Sequence, residues 1–396
     1  MATSTLVETE KKVVWAKLED FNPTSSKQII EYLKFRKLPI PKHRTKRTDS
    51  VDAESLARLN GNLNDPVISG ILELRKLEKA TTYLSEKFVW SDGRMRPQYT
   101  TAPKTGRLSA KRPNIMTLPQ PGRGSKIMDE ASREIRKSFI PDPGYVLGEF
   151  DWKAIEALLT GWFANDPNYM EAAKIGVHDI FGSHLLYKAG LIDAPKSPFD
   201  PDIKNWIKWF KKEHEEIRAR AKKRIYAGAY GQGAKNMARD LGVSIATVKE
   251  LDVVFATMAP KVIDWQRETR LRAHKEGRLI NPFQRSLSFG NVFNADGTLG
   301  RESSECLAFL PQSTCAVMLR KVLVALGTHP EEGTTFMLQI PEHDAIKFQV
   351  LESEVDRIMN LVKESMEKPW PELNGLVVEV EGKIGFNRSE MQTWKG

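Results

Sequence analysis

The chain is poor in cysteine. Cys306 and Cys315 are its two in 396 residues, too few for a disulfide framework or a four-cysteine zinc site. Long apolar runs are missing too: nothing reads as the roughly 18 consecutive apolar residues of a membrane span. The opening MATSTLVETEKK has acids and no apolar stretch, so secretion and organelle import find no support. The expectation is a cytoplasmic protein with no membrane partner. No repeat period or low-complexity block occurs, which excludes solenoids. What is present is mixed charge, with 60 Lys and Arg against 51 Asp and Glu giving +9 at a sequence pI near 9.3. That excess suits a polyanionic partner without identifying one. With 40% hydrophobic and 28% charged residues, the chain is globular and long enough for two or three domains.

The polar first dozen residues read as frayed. A helix is predicted over 27–38, after the turn-and-cap run Asn22-Pro23-Thr24-Ser25-Ser26. KFRKLPIPKHRTKR, residues 34–47, holds seven Lys or Arg and no acid. Its Lys42, Arg44, Lys46 and Arg47 would suit counterion release from duplex phosphates, against the commoner reading of a solvated loop. Helices follow at 52–60 and 66–86, then short extended pieces at 88–90 and 95–101. A strand is predicted over 145–151, feeding a helix that starts near Lys153. Residues 166–300 are mostly helical, with a hairpin-like piece at 279–290. Beyond them come an apolar helix (303–326), a hairpin (335–350), a helix (353–366) and a last strand, Leu376–Val380. Strands gathered from distant segments around a helical insertion give an α+β fold.

Asp151 stands where a predicted strand ends, and His343-Asp344 at a hairpin tip, both places that present a carboxylate from rigid backbone. Brought together by folding, the two aspartates would hold two divalent cations for phosphoryl transfer; taken singly, each reads as a cap or turn residue. In RARAKKRIYAGAYG, Arg218, Lys222, Tyr226 and Tyr230 recur every four residues, one stripe on a helix. Two cations followed by two aromatics match a triphosphate followed by a sugar and base. A solvated basic face accounts for the cations and not for the tyrosines. TGRLS, residues 105–109, with Pro113-Asn114 is a polar, cationic loop suited to contacts that fix a nucleic acid's register without reading sequence.

Taken in order, these segments resemble the polymerase region of the family A, or DNA polymerase I, family. FNPTSSKQ and TDSVDAESLARL through KLEKATTYL resemble its thumb and thumb-to-palm connection, TGRLSAKRPNIMTLP its template–primer loop, and EFDWKAIEALL its first metal motif. RARAKKRIYAGAYG resembles the fingers helix, LPQSTCAVM a palm helix, and PEHDAIKF the second metal motif. Seven matches in family order make the resemblance specific. It implies a right-hand fold with an antiparallel-sheet palm, helical fingers and a shortened thumb. The expected division is thumb 1–90, palm 91–165 and 301–396, fingers 166–300. It also implies two Mg²⁺ ions, replaceable by Mn²⁺, on Asp151, Asp344 and the backbone of Trp152. Glu156 falls at the steric gate that blocks a ribose 2′-hydroxyl. Arg218 and Lys222 fall on the triphosphate, Tyr226 on the incoming sugar and base, and Tyr230 beside the templating base. Arg107, Asn114, Gln312 and His343 fall on primer–template DNA. The implied partners are primer–template DNA and dNTPs. The chain begins inside the thumb, which implies a phage-like polymerase module without its own exonuclease, and leaves room for a separate exonuclease or processivity factor.

Three departures stand out. Ala345 follows the second aspartate where the family usually has Glu, and Pro341-Glu342 reads as an insertion, with Glu342 as a substitute carboxylate. Phe181 stands where the family often has a phosphate-contacting His, with His178 and His184 nearby. Ala308 stands where Asn is usual. The alternatives are a catalytically degenerate primer–template binding protein and, against Glu156, a single-subunit RNA polymerase relative. Tyr at position 226 implies acceptance of dideoxynucleotides. Tyr226→Phe is therefore expected to sharpen their rejection, and an unchanged ratio of dideoxy- to deoxynucleotide incorporation would refute the assignment.

Overall fold

Side-chain caps written into the sequence start the helices of the first of two units, residues 1–96 with 117–139. The computed structural model describes residues 4–9, 12–17, 21–43, 46, 48–122, 125–229, 231, 233–234, 237–238 and 243–396, with the side chains of 4–9, 12–17, 62, 223, 226, 227 and 229 outside that description. Strands β1 (Ser4–Thr9) and β2 (Lys12–Lys17) form an antiparallel hairpin where polarity alone predicts fraying; its register sets Leu6 across from Trp15 and Val7 across from Val14. Ser25 caps α1 (Ser26–Phe35), and Asp52 caps α2 (Ala53–Leu63) by accepting from the Ser55 N–H at 2.7 Å. Asp65 caps α3 (Pro66–Thr81) and also accepts from the Tyr32 hydroxyl at 3.1 Å, which ties α3 to α1. Ile29, Leu33, Val51, Leu56, Ile68 and Ile71 bury against one another beneath these helices. Helix α4 (Lys126–Lys137) packs on α3.

The second unit comprises residues 97–116 and 140–396. Strands β3 (Gln98–Thr100) and β4 (Ser109–Lys111) pair across the loop that carries Gly106 and Arg107. Next comes β5 (Tyr145–Trp152), in which Val146, Phe150 and Trp152 enter the core. Strand alternation turns Glu149 and Asp151 to the opposite face. Helices α5 (Ile155–Phe163), α6 (Pro167–Ile175), α7 (Val177–Lys188), α8 (Ile203–Glu213), α9 (Glu215–Ala229), α10 (Ile245–Met258) and α11 (Pro260–Glu276) follow. The hairpin β6 (Arg278–Ile280)–β7 (Ser286–Ser288) leads to α12 (Glu305–Gly327). Strands β8 (Phe336–Glu342) and β9 (Ala345–Leu351), helix α13 (Val355–Met366), and strands β10 (Val380–Gly385) and β11 (Gln392–Thr393) complete the chain. One antiparallel sheet runs β11-β10-β5-β9-β8.

One core lies under this sheet, where Phe150, Trp152, Phe348, Val322, Ile358 and Trp370 meet. A second joins the helices through Phe181, Ile225, Phe255, Trp265 and Phe309. Helix α12 contributes to both, with Phe309 in the helical core and Met318 and Val322 in the sheet core. It is long and apolar enough to pass for a membrane span, yet 61% of its apolar window is buried inside the unit. The last strand is displaced from its expected place. Leu376–Val380 mostly forms the approach, with Val378 fully buried, and the ladder itself begins at Val380 opposite Trp152.

Candidate active site

The register between β5 and β9 sets Asp151 directly across from Ala345, so the turn residue Asp344 lies beside the end of β5. The Trp152 N–H donates to the Asp344 carbonyl at 3.4 Å and fixes this junction. His343, at φ 57°, takes the left-handed conformation that a two-residue turn between Glu342 and Ala345 requires. The Trp152 side chain is spent on the core, its Nε1 donating to the Met366 carbonyl at 3.2 Å, which leaves only its backbone to face the aspartates.

Burial, then the charge of Asp344, then that of Glu149 push the Asp151 carboxyl up to about 7, with Lys383 and Lys347 opposing. Asp344 is also raised, chiefly by burial, with Arg107 and His343 pulling the other way. Asp151 Oδ1 is buried and accepts no hydrogen bond among the described residues. Two carboxylates forced together, one with an orphan oxygen, form a donor set that divalent cations would satisfy. Among the described residues no group of three His, Cys, Asp or Glu converges, so further ligands would come from backbone, water and substrate. Glu342 does not serve as a substitute. Its carboxylate is bound by Lys347 and by Arg388 at 2.9 Å, both buried.

Glu156, in the first turn of α5, makes an ion pair with Arg107 from the 104–108 loop. Beside them a cavity of about 220 Å³ is lined by Asp344, Glu156, Gly176, His178, Tyr169 and Ile225 among others. Ile225 brings in α9, the helix of the cationic stripe. On it Arg218 donates through Nε to Asp179 Oδ1 at 2.6 Å, while the Lys211 ammonium lies 3.7 Å from Oδ2 of the same buried carboxylate. Lys222 is exposed and makes no ion pair among the described residues. Phe181 is fully buried in the helical core, whereas His178 lines the cavity. Burial, opposed by Asp179 and aided by Lys222, Arg218 and Lys211, lowers the His178 pKa to about 4. Those influences place the imidazole near the cationic stripe.

Asn114 and His343 are exposed and Gln312 is half-buried on α12. Lys42 and Lys46 belong to the first unit; Lys42 pairs with Asp49, and Lys46 is exposed. Arg44, Arg47 and Tyr230 lie outside the described residues, as does the side chain of Tyr226, whose backbone is part of α9. Sequence reasoning missed Asp179 as the anchor of Arg218. Its one signal was an acid beside His178, and pairing it with Arg218, 39 residues on, needs the tertiary fold.

The family model "DNA polymerase family A" matches residues 2–390. The thermostable DNA polymerase I of Thermus thermophilus is 26% identical over 81% of this chain and 36% of its own length. DNA polymerase I of Mycobacterium tuberculosis is 26% identical over 94% of this chain and 38% of its own. The chain thus spans less than two-fifths of these relatives. Among solved structures, the POL domain of Pol1 from M. smegmatis, in complex with DNA primer-template and dNTP, shares the fold at a TM-score of 0.75 with 24% identity, covering 93% of this chain and 61% of that one.

Proposed function

Because the chain belongs to DNA polymerase family A, we propose that it performs template-directed DNA synthesis, adding dNTPs to a primer 3′-hydroxyl. The observation that carries this reading is the placement of Asp151 beside Asp344, next to a cavity that Glu156 and α9 also line. The hydroxyl gives up its proton to solvent, its oxygen attacks the α-phosphorus, the bond to the bridging oxygen breaks, and pyrophosphate leaves. Mg²⁺ or Mn²⁺ held by Asp151, Asp344 and the Trp152 carbonyl would make the hydroxyl more acidic and neutralise the departing charge. Arg218, aimed by Asp179, keeps its terminal nitrogens for phosphate oxygens, and Lys222 adds a point charge. Tyr226 and Tyr230, by the family resemblance, serve the incoming sugar and base and the templating position. Arg107, Asn114, Gln312 and His343 contact the primer–template.

Primer extension tests the proposal: labelled primer–template with Mg²⁺ or Mn²⁺ and either dNTPs or NTPs. Extension with dNTPs is expected. Binding without extension in either metal would instead establish a binding protein, the reading that Ala345 and the engaged Glu342 favour, and preferential NTP use would point to an RNA polymerase relative. A variant sharpens the test. Glu156 lines the cavity and pairs with Arg107, and in this reading its carboxylate blocks the 2′-hydroxyl of a ribonucleotide. Glu156→Ala is expected to raise ribonucleotide incorporation relative to deoxynucleotide about 10- to 100-fold. The ratio is the readout because freeing Arg107 also alters DNA contacts. An unchanged ratio would remove Glu156 from the sugar.

A further inference from the structure

Two arginines far apart in sequence converge on one glycine. Gly106 has φ +77°, and a Cβ built on it would stand 2.6 Å from Arg285 Cζ and 2.6 Å from Arg320 Nη2. Only glycine leaves room for both guanidinium groups and takes that backbone conformation without strain. Arg320, on α12, donates from Nη2 to the Gly106 carbonyl at 2.8 Å and from Nε to the Ala316 carbonyl at 3.3 Å. Arg285, between β6 and β7, donates from Nη2 to the Lys104 carbonyl at 3.2 Å, while its Nε is buried without an acceptor among the described residues.

No carboxylate offsets either charge among the described residues. The nearby acids are engaged, Glu156 with Arg107 and Glu305 with Lys104 at 2.8 Å. Burial, and then the charge of Arg285, lower the Arg320 pKa, as expected of like charges crowded with no anion between them. Side chains placed this way lack an acceptor with several oxygens, and paired guanidinium forks match phosphate. None of Gly106, Arg285 and Arg320 lines the cavity beside Asp344, so the phosphate of an incoming nucleotide is the poorer candidate.

We propose that Arg285, Arg320 and the Gly106 loop form a site for one backbone phosphate of bound DNA, separate from the triphosphate site. This rests on the DNA-synthesis reading. The test is the dissociation constant of a fluorescent primer–template, measured by anisotropy from about 50 to 200 mM salt, for wild type, Arg285→Gln, Arg320→Gln and the two Arg→Lys variants. Each Gln variant is expected to bind about 3- to 10-fold more weakly and to lose about one unit from the slope of log K against log salt. The Lys variants are expected to keep the slope and lose part of the affinity, and the KM for dNTP should stay unchanged throughout. If Arg320→Gln does not fold, Arg285→Gln in its hairpin loop carries the test. A lowered Tm with an unchanged slope would overturn the proposal in favour of a structural role. A raised KM for dNTP with DNA affinity intact would overturn it in favour of the nucleotide. Wild type that binds DNA while both Gln variants match it in slope would sink this site alone. Wild type that ignores primer–template would sink the DNA reading and the site with it.

Discussion

Asp151→Asn is expected to lower primer extension about 10³- to 10⁴-fold and, at pH 8 without divalent cations, to raise thermal stability. The Asp151 carboxyl titrates near 7 in the folded chain against 3.8 for the ordinary group. The folded state therefore holds a proton that the unfolded state releases between those values. The stability that this proton contributes is complete below about pH 3.8 and is lost as pH rises through 7. Above that, ionised Asp151 sits buried beside Asp344 and costs up to ~4 kcal/mol, from about three pKa units at ~1.4 kcal/mol each. Asparagine keeps the shape and removes the charge. At ~2–4 °C per kcal/mol, the variant should melt several degrees above wild type at pH 8 in EDTA, with the gap closing below pH 4. Thermal unfolding across that range checks this, and Mg²⁺ should raise the melting temperature of wild type more than that of the variant. Equal melting temperatures at pH 8 would mean the two carboxylates do not strain one another, and full extension activity would remove Asp151 from the reaction.

The placement of the two aspartates was legible in the sequence, because they end or join strands; their mutual strain was not. The run Tyr145-Val146-Leu147 followed by the alternation Glu149, Phe150, Asp151, Trp152 marks a strand and its end, and the hairpin of β8 and β9 is joined by a polar turn, so a strand end and a hairpin tip were readable before the sheet was known. Helix α9 was legible for the same reason, a four-residue recurrence that fits only a helix. Where sheet and sequence part, the cause is packing. The apolar run Leu376–Val380 imitates a strand but is mostly a buried approach, while the true β10 contains Gly382 and Gly385, where a Cβ would meet Phe150 at 2.6 Å and Met391 at 3.0 Å. Glycines chosen for close contact erase the alternation that marks a strand. Ion pairs across the chain were equally silent. Glu342 looked available as a carboxylate because Lys347 and Arg388 reach it only after folding, and Asp179 gave no hint that it would hold Arg218. Periodicity reports which face a residue occupies; it does not report what stands opposite.

The pair Arg218 and Lys222 divides into an anchored cation and a free one, and their variants should differ accordingly. Arg218 is held by Asp179 at 2.6 Å, so its position is set before substrate arrives. Lys222, exposed and without an ion pair among the described residues, keeps a flexible ammonium that can follow charge as it moves onto the leaving pyrophosphate. A group that interacts more strongly with the transition state than with bound substrate acts on kcat. Lys222→Ala is therefore expected to lower kcat about 10²- to 10³-fold with a smaller rise in KM for dNTP, whereas Arg218→Ala should act mainly through KM. Lys222→Arg should recover part of the rate by restoring the charge. Single-turnover incorporation over a range of dNTP concentrations separates the two parameters. Because Lys222 lies at the surface, Lys222→Ala should leave stability within about 0.5 kcal/mol of wild type, so a loss of rate cannot be assigned to unfolding. A rise in KM alone would make Lys222 a ground-state binder. No change in either parameter would turn the stripe of α9 away from the substrate and leave its tyrosines unexplained.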